Sequence, residues 1–272
     1  MSGGVLPVWL VPSIIAIAFA TMSLAETLAP IRRRVEPRLR HTVRNLSVGG
    51  VSLAVMTLIQ TPLLIPVARL IEEHRIGLLQ WIGLPRPWSI AVAIVLLDYT
   101  LWVWHWANHR VPFLWRFHLA HHVDLDLDAS TALRFHFGEL ALSIPARAAQ
   151  IALVGAEPLA VAIWQAILFA SILFHHSNAR LPRRLEAMLA LLIVTPRMHG
   201  IHHSTRPDET NSNWSSLLSV WDFIHRTFRF DVPDDAIVIG VPAHQSAEDV
   251  TIGRILMLPF RRQKEDWRAP NF

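Results

Sequence analysis

Fifteen histidines and no cysteine in a chain of 272 residues decide which chemistry is open to it. Eight of the histidines form three clusters: His105 and His109 as H-x3-H, His118, His121 and His122 as H-x2-H-H, and His199, His202 and His203 as H-x2-H-H. At i, i+3 and i+4 the side chains share one helix face, so each cluster can aim its rings at a common point. Without a thiol there is no disulfide framework, no thiolate metal site, no iron–sulfur cluster and no cysteine nucleophile. A metal has to be held by imidazole or carboxylate. One zinc is satisfied by four ligands, and a hydrolytic zinc by three and a water, so eight histidines are too many for a single ion. Two metals taking four or five nitrogens each fit better, and imidazole alone does not choose between zinc, copper, iron and nickel.

Further side chains extend the set. His136 stands in Arg134-Phe135-His136-Phe137-Gly138-Glu139, either as a ligand or as an interfacial hydrogen-bonding residue. The pair His175-His176 precedes Ser177-Asn178, and one of the two is a further ligand candidate. Asp98 is an acid inside an apolar run seven residues before His105, nearly on the same face. An intramembrane acid is a functional candidate by default, here to accept the other ring N–H of His105 or a neighbouring ligand and fix its tautomer. The rival reading is a satisfied partner of Arg110 or of a tryptophan N–H. Asn178 can support a metal-bound water, or simply cap a helix. His41, His74, His225 and His244 lack the spacing and read as surface residues. Trp102, Trp104, Trp106 and Trp115 suit an aromatic belt at a membrane interface.

The elements that must position these residues are membrane helices. The chain is 52% hydrophobic and 17% charged, too apolar for an ordinary soluble domain. Val5 to Leu24, residues 45 to 68 and Trp88 to Asn108 are long enough to cross a hydrocarbon core of ~30 Å. Pro62 and Pro66 should kink or end the second of these. Leu140 to Val154 and Pro158 to Ala179 read as a hairpin of two helices, and Leu185 to Thr195 as a short interfacial or buried helix. The first loop carries Arg32, Arg33, Arg34, Arg38, Arg40 and Arg44 against one acid, which makes it cytoplasmic and suits lipid headgroups rather than nucleic acid. Threading from there brings every histidine cluster to the cytoplasmic face. The expected fold is therefore an all-α, polytopic membrane helical bundle, about four spans or span-like helices plus a membrane hairpin, under a cytoplasmic histidine-rich helical cap. Residues 1–87 form the N-terminal spans and basic loop, 88–230 the histidine-bearing domain and 231–272 a cytoplasmic tail.

From Asp98 to Phe228 the chain resembles the fatty acid hydroxylase and sterol desaturase superfamily of membrane di-iron oxygenases. The resemblance rests on Asp98 through His109, Leu114 through His122, Arg134-Phe135-His136 with Glu139, His176-Ser177-Asn178, Pro196 through Ser204, and Asn213 with Trp221-Asp222. It implies two iron ions held by His105, His109, His118, His121, His122, His136, His176, His199, His202 and His203. Glu139, Asn178 and Asp222 are then supporting residues, and His176 rather than His175 is the ligand. It further implies O2 as co-substrate, hydroxylation or desaturation of an unactivated C–H bond, and a lipid substrate drawn from the bilayer, whether acyl chain, sterol-like or carotenoid. Trp106, Phe137, Ser215 and Arg226 stand where the family commonly has Arg, Pro, Gly and Gly. No fused haem carrier signature is present, so electrons must come from a separate protein, a ferredoxin or a cytochrome with its reductase. Apart from that resemblance, a zinc-dependent membrane lipid hydrolase and a membrane metal- or haem-binding protein remain as alternatives. A transporter should place its ligands near the bilayer midplane, however, not at one interface.

Overall fold

In the computed structural model, which describes Pro7 and residues 9–263, the regular structure is helical apart from isolated β-bridges. Val5, where the first span was expected to begin, and Lys264, in the C-terminal tail, lie outside the described residues. The first helix, α1 (Leu10–Leu28), carries no charge until Glu26. A loop leads to α2 (Arg38–Val55), which runs through a π-helical stretch, Met56–Gln60, into α3 (Thr61–Glu73). Pro62 and Pro66 do not end this span. The π turn lies directly ahead of Pro62, where a missing N–H must interrupt the i→i−4 ladder. A short α4 (Leu78–Ile82) follows Gly77, whose φ of 98° and close approach to α7 exclude a side chain: a Cβ there would sit 2.3 Å from the Ala152 carbonyl.

The long α5 (Arg86–Arg110) opens on Pro87 and forms the central post of the bundle. It ends where Pro112 forbids a helical Val111, and α6 (Pro112–His122) restarts at once in a new direction. Next come α7 (Phe137–Val154) and α8 (Pro158–His176), a hairpin turned at Gly155 with φ 73°. Both lean on α5; α1 covers α8, and α3 covers α7. Leu79, Ala93, Leu97, Val154, Ala160, Trp164 and Leu168 form the apolar core at the hairpin end. Among the described residues, five stretches are long and apolar enough to cross a membrane: Leu10–Leu28, Arg38–Ile82, Arg86–Arg110, Phe137–Val154 and Pro158–His176. The chain is an integral membrane protein.

At the opposite end lies a cap of short helices, α9 (Arg183–Leu189), α10 (Pro196–His202), α11 (Pro207–Thr210), α12 (Val220–Ile224) and α13 (Ile252–Met257). The segment after residue 230 packs into this cap. Val232, Ile237 and Ile239 meet Leu127 and Ile201, while Val241 and Val250 meet Trp115 and Leu119.

The arginines of the first loop, expected to face lipid headgroups, are largely spent inside the protein. Arg34 reaches Asp128 (2.6 Å) and Glu26 (3.2 Å), Arg38 reaches Glu26 (3.2 Å), and Arg44 pairs with Glu36 and with Asp124 (3.0 Å). Arg134 adds a further contact to Asp124 (3.0 Å), while Arg33 and Arg40 stay exposed. His41, expected at the surface, is wholly buried, with one ring nitrogen 2.9 Å from Asp124 and the other 3.0 Å from Asp128. Burial alone would raise both carboxyl groups, but Arg134 and His41 beside Asp124, and His41 and Arg34 beside Asp128, hold them well below the usual carboxylate range. Ionised carboxylates only accept, so His41 between them donates from both nitrogens as an imidazolium. His244 is also buried; His74 and His225 are exposed.

Candidate metal centre

Three helix ends and one cap helix converge under the bundle. His105 and His109 occupy the last turns of α5, and the break at Pro112 swings α6 back so that His118 and His122, four residues apart, face them. Thr195 caps α10 by accepting from the Met198 N–H, and Pro196 fills its first position, which presents His199, His202 and His203 together. His176 is the final residue of α8.

The rings sort into two buried groups. His105, His109, His118, His122 and His202 bring five nitrogens within 4.8 Å of one another, and His121, His176, His199 and His203 bring four. The adjacent pairs His121-His122 and His202-His203 each send one ring to either group. The groups are therefore neighbours built on shared helices; the rings of His122 and His203 stack at 4.3 Å. In the four-nitrogen group, His176 Nε2 lies 3.1 Å from His121 Nε2 and 3.0 Å from His199 Nε2, which is 3.0 Å from His203 Nε2.

Four of the nine rings are held at their outer nitrogen, three of them by backbone, while the Nδ1 atoms of His121, His122, His199 and His203 have no partner. His105 Nδ1 donates to the Trp214 carbonyl (2.7 Å), His202 Nδ1 to Ser212 (2.8 Å) and His176 Nδ1 to Ile172 (2.8 Å). His118 Nδ1 lies 2.8 Å from Glu139 Oε1. In each case Nε2 is left as a lone pair aimed inward. Buried nitrogens without a hydrogen-bond partner accumulate here, among them His109 Nε2 and His202 Nε2. Burial first, and neighbouring histidines second, hold His121, His122, His199 and His203 far below the usual imidazole range, and burial lowers His202 to about 3. Neutral imidazoles crowding their lone pairs into one space are what divalent transition metals bind, so the donor set fits two such ions.

Other residues singled out in the sequence stand elsewhere. His136 caps α7: its Nδ1 accepts from the Gly138 N–H (2.9 Å) and its Nε2 donates to the Leu256 carbonyl (3.0 Å), so neither nitrogen reaches a group. Asp98 does not meet His105. Its Oδ2 accepts from Trp221 Nε1 (2.7 Å) and Leu218 N (3.1 Å), which pins α12 and its approach to α5. Asn178 spends its amide on the backbone of Arg32, accepting at 3.0 Å and donating at 2.9 Å. His175 is buried beside His199, with ring centroids 4.1 Å apart, but falls in neither group. Asp222 accepts from Trp102 Nε1, Trp214 N, Ser215 N and Thr227 Oγ1, and so fixes the strand of backbone whose carbonyl holds His105. Arg226 adopts φ 59°, the left-handed conformation that glycine takes without steric cost. The carbonyls of Trp214, Ser212 and Ile172 were missed because backbone acceptors carry no sequence signal.

An all-helical bundle with span-length helices and two buried histidine groups able to hold metals defines a membrane metalloprotein architecture. The fatty acid hydroxylase family model matches residues 90–227, half of the chain and all but the N-terminal spans and the last segment, and the chain belongs to that family. It is 28% identical over 233 residues to the ornithine lipid hydroxylase OlsE of Rhizobium tropici, covering 82% of this chain and 68% of that protein. Human alkylglycerol monooxygenase is 26% identical over 62% of this chain, a match spanning only 36% of the human protein. A cholesterol 25-hydroxylase-like protein of Danio rerio is 26% identical over 53% of this chain and 57% of its own length. No solved structure matches the chain. The protein is thus a membrane enzyme of the hydroxylase family.

Proposed function

We propose that the two histidine groups hold two iron ions and that the enzyme uses O2 to hydroxylate a C–H bond in the acyl chain of a membrane lipid. The observation that carries this reading is the pairing of a five-nitrogen with a four-nitrogen group across shared histidine dipeptides, a donor set too large for one zinc. The relatives' names favour hydroxylation over desaturation. Iron bound there supplies the reductive activation of O2 that no side chain can perform. One oxygen atom enters the C–H bond, and the other leaves as water, with two electrons and two protons delivered through a separate ferredoxin or a cytochrome with its reductase.

The chain's own residues do the rest. Glu139 and the three carbonyls fix the tautomers of His118, His105, His202 and His176, so the Nε2 lone pairs need no reorganisation on binding metal. Burial of all nine rings keeps water from the reacting atoms, and orientation of the lipid chain between helices selects the carbon. Residues 88–230 form the catalytic domain, facing the cytoplasm from a bacterial inner membrane. Elemental analysis and Mössbauer spectroscopy of protein made in iron-replete medium should find about two coupled irons per chain, and lipid mass spectra should show products gaining one oxygen. One zinc and no iron would replace this reading with a zinc-dependent hydrolase.

A further inference from the structure

Halfway along α7 stands a cation with no acid to answer it. Arg147 lies in the apolar stretch Phe137–Val154, and its guanidinium carbon sits 5.7 Å over the ring of Trp164 on α8. Among the described residues no carboxylate pairs with it. Trp164 is buried, at 2% exposure, and its indole N–H has no acceptor either. A guanidinium and an indole N–H offer only donors. Two donor groups without an acceptor inside a membrane bundle are costly unless something supplies oxygen atoms. Ser143 and Gln150 are buried on the face of α7 that carries Glu139, which meets His118, and Arg147 continues that row at helical spacing, half-buried. Arg147 is eight residues from Glu139, about 12 Å along the helix axis. Below their turn, α7 and α8 pack on α5 and α3, and the Arg147–Trp164 contact lies between them.

We infer that Arg147 and the Trp164 N–H form a site for the anionic head, carboxylate or phosphate, of an acyl lipid lying along α7. Its head points to the Gly155 turn and its chain runs toward the histidine groups. This rests on the lipid-oxygenase reading above, but the test is binding without O2 or turnover. Purified metal-loaded protein in neutral phosphatidylcholine nanodiscs is saturated with radiolabelled palmitate, then competed with hexadecanol or with lysophosphatidic acid. Wild type should prefer an anionic amphiphile to the alcohol by about tenfold or more, as charge-assisted hydrogen bonds are worth. Stronger competition by lysophosphatidic acid than by unlabelled palmitate assigns phosphate, and the reverse assigns carboxylate. Arg147→Gln should erase the preference while metal content stays unchanged, and Trp164→Phe, which keeps the ring, should reduce it. No preference in wild type, or one that survives Arg147→Gln, overturns the site. Should Arg147→Gln not accumulate in membranes, an unchanged preference in Trp164→Phe overturns it. Loss of the two-iron stoichiometry with the anion preference intact would overturn the oxygenase reading instead.

Discussion

A ligand ring is oriented where its second nitrogen is held, as in His105, His118, His176 and His202, whereas the Nδ1 atoms of His121, His122, His199 and His203 have no partner. His118 is the one whose outer nitrogen meets a carboxylate, so Glu139→Gln should cost about 10–100-fold in metal affinity, read by chelator competition. His202→Ala and His203→Ala remove one nitrogen from different groups, and each should lower bound metal by about one ion per chain while the helices stay inserted. His136→Ala should leave metal content unchanged, since both its nitrogens are spent on the backbone; His74→Ala, at the surface, serves as the control. Loss of metal in His136→Ala would return that residue to the ligand set. The three clusters were legible because helical spacing is local. The partners of Asp98 and His41 were not: Trp221 is 123 residues from Asp98, and Asp124 is 83 from His41. No periodicity within either helix encodes a contact at that separation.

Between elements, the loop 123–131 acts as a strap binding the histidine cap to the start of α2. Its Asp-Leu-Asp-Leu-Asp run sends acids to Arg34, His41, Arg44 and Arg134, and Asp126 to the backbone of Val35 and Glu36. The arginines of the first loop were read as a topology signal because the acids that answer them lie some ninety residues away. Asp124 is fully buried, so Asp124→Asn leaves His41, Arg44 and Arg134 short of a charge and should cost about 3–5 kcal/mol. Its folded-state pKa is depressed, so its contribution is complete above the unfolded value of ~3.9 and is lost as pH falls through its own lower value. Melting curves of detergent-solubilised wild type and Asp124→Asn should therefore differ most from pH 5 upward and converge in stronger acid. A gap that widened in acid would contradict the assignment of an ionised Asp124.

The architecture of the whole molecule was legible in sequence because a bilayer imposes length and apolarity on every spanning helix, with no knowledge of packing required. Its sidedness has a mechanical consequence. The loop after α1 is tied to Asn178 and lies over α10, with Arg32 packed against Gly200, so this loop and the histidine groups must share one side of the membrane. The turn at Gly155 packs against Gly77 and Gln80 and must share the other. A chain without cysteine is suited to a test, since each introduced thiol is the sole target of a membrane-impermeant maleimide. Arg33 and Glu73 are exposed on the two sides. If the loop lies inside as proposed, Glu73→Cys should react in intact bacterial cells and Arg33→Cys only after the inner membrane is opened, since arginine-rich loops are retained on the cytoplasmic side. The reverse pattern would put the histidine groups outside the cell, beyond reach of a cytoplasmic ferredoxin, and would require an electron carrier on that face.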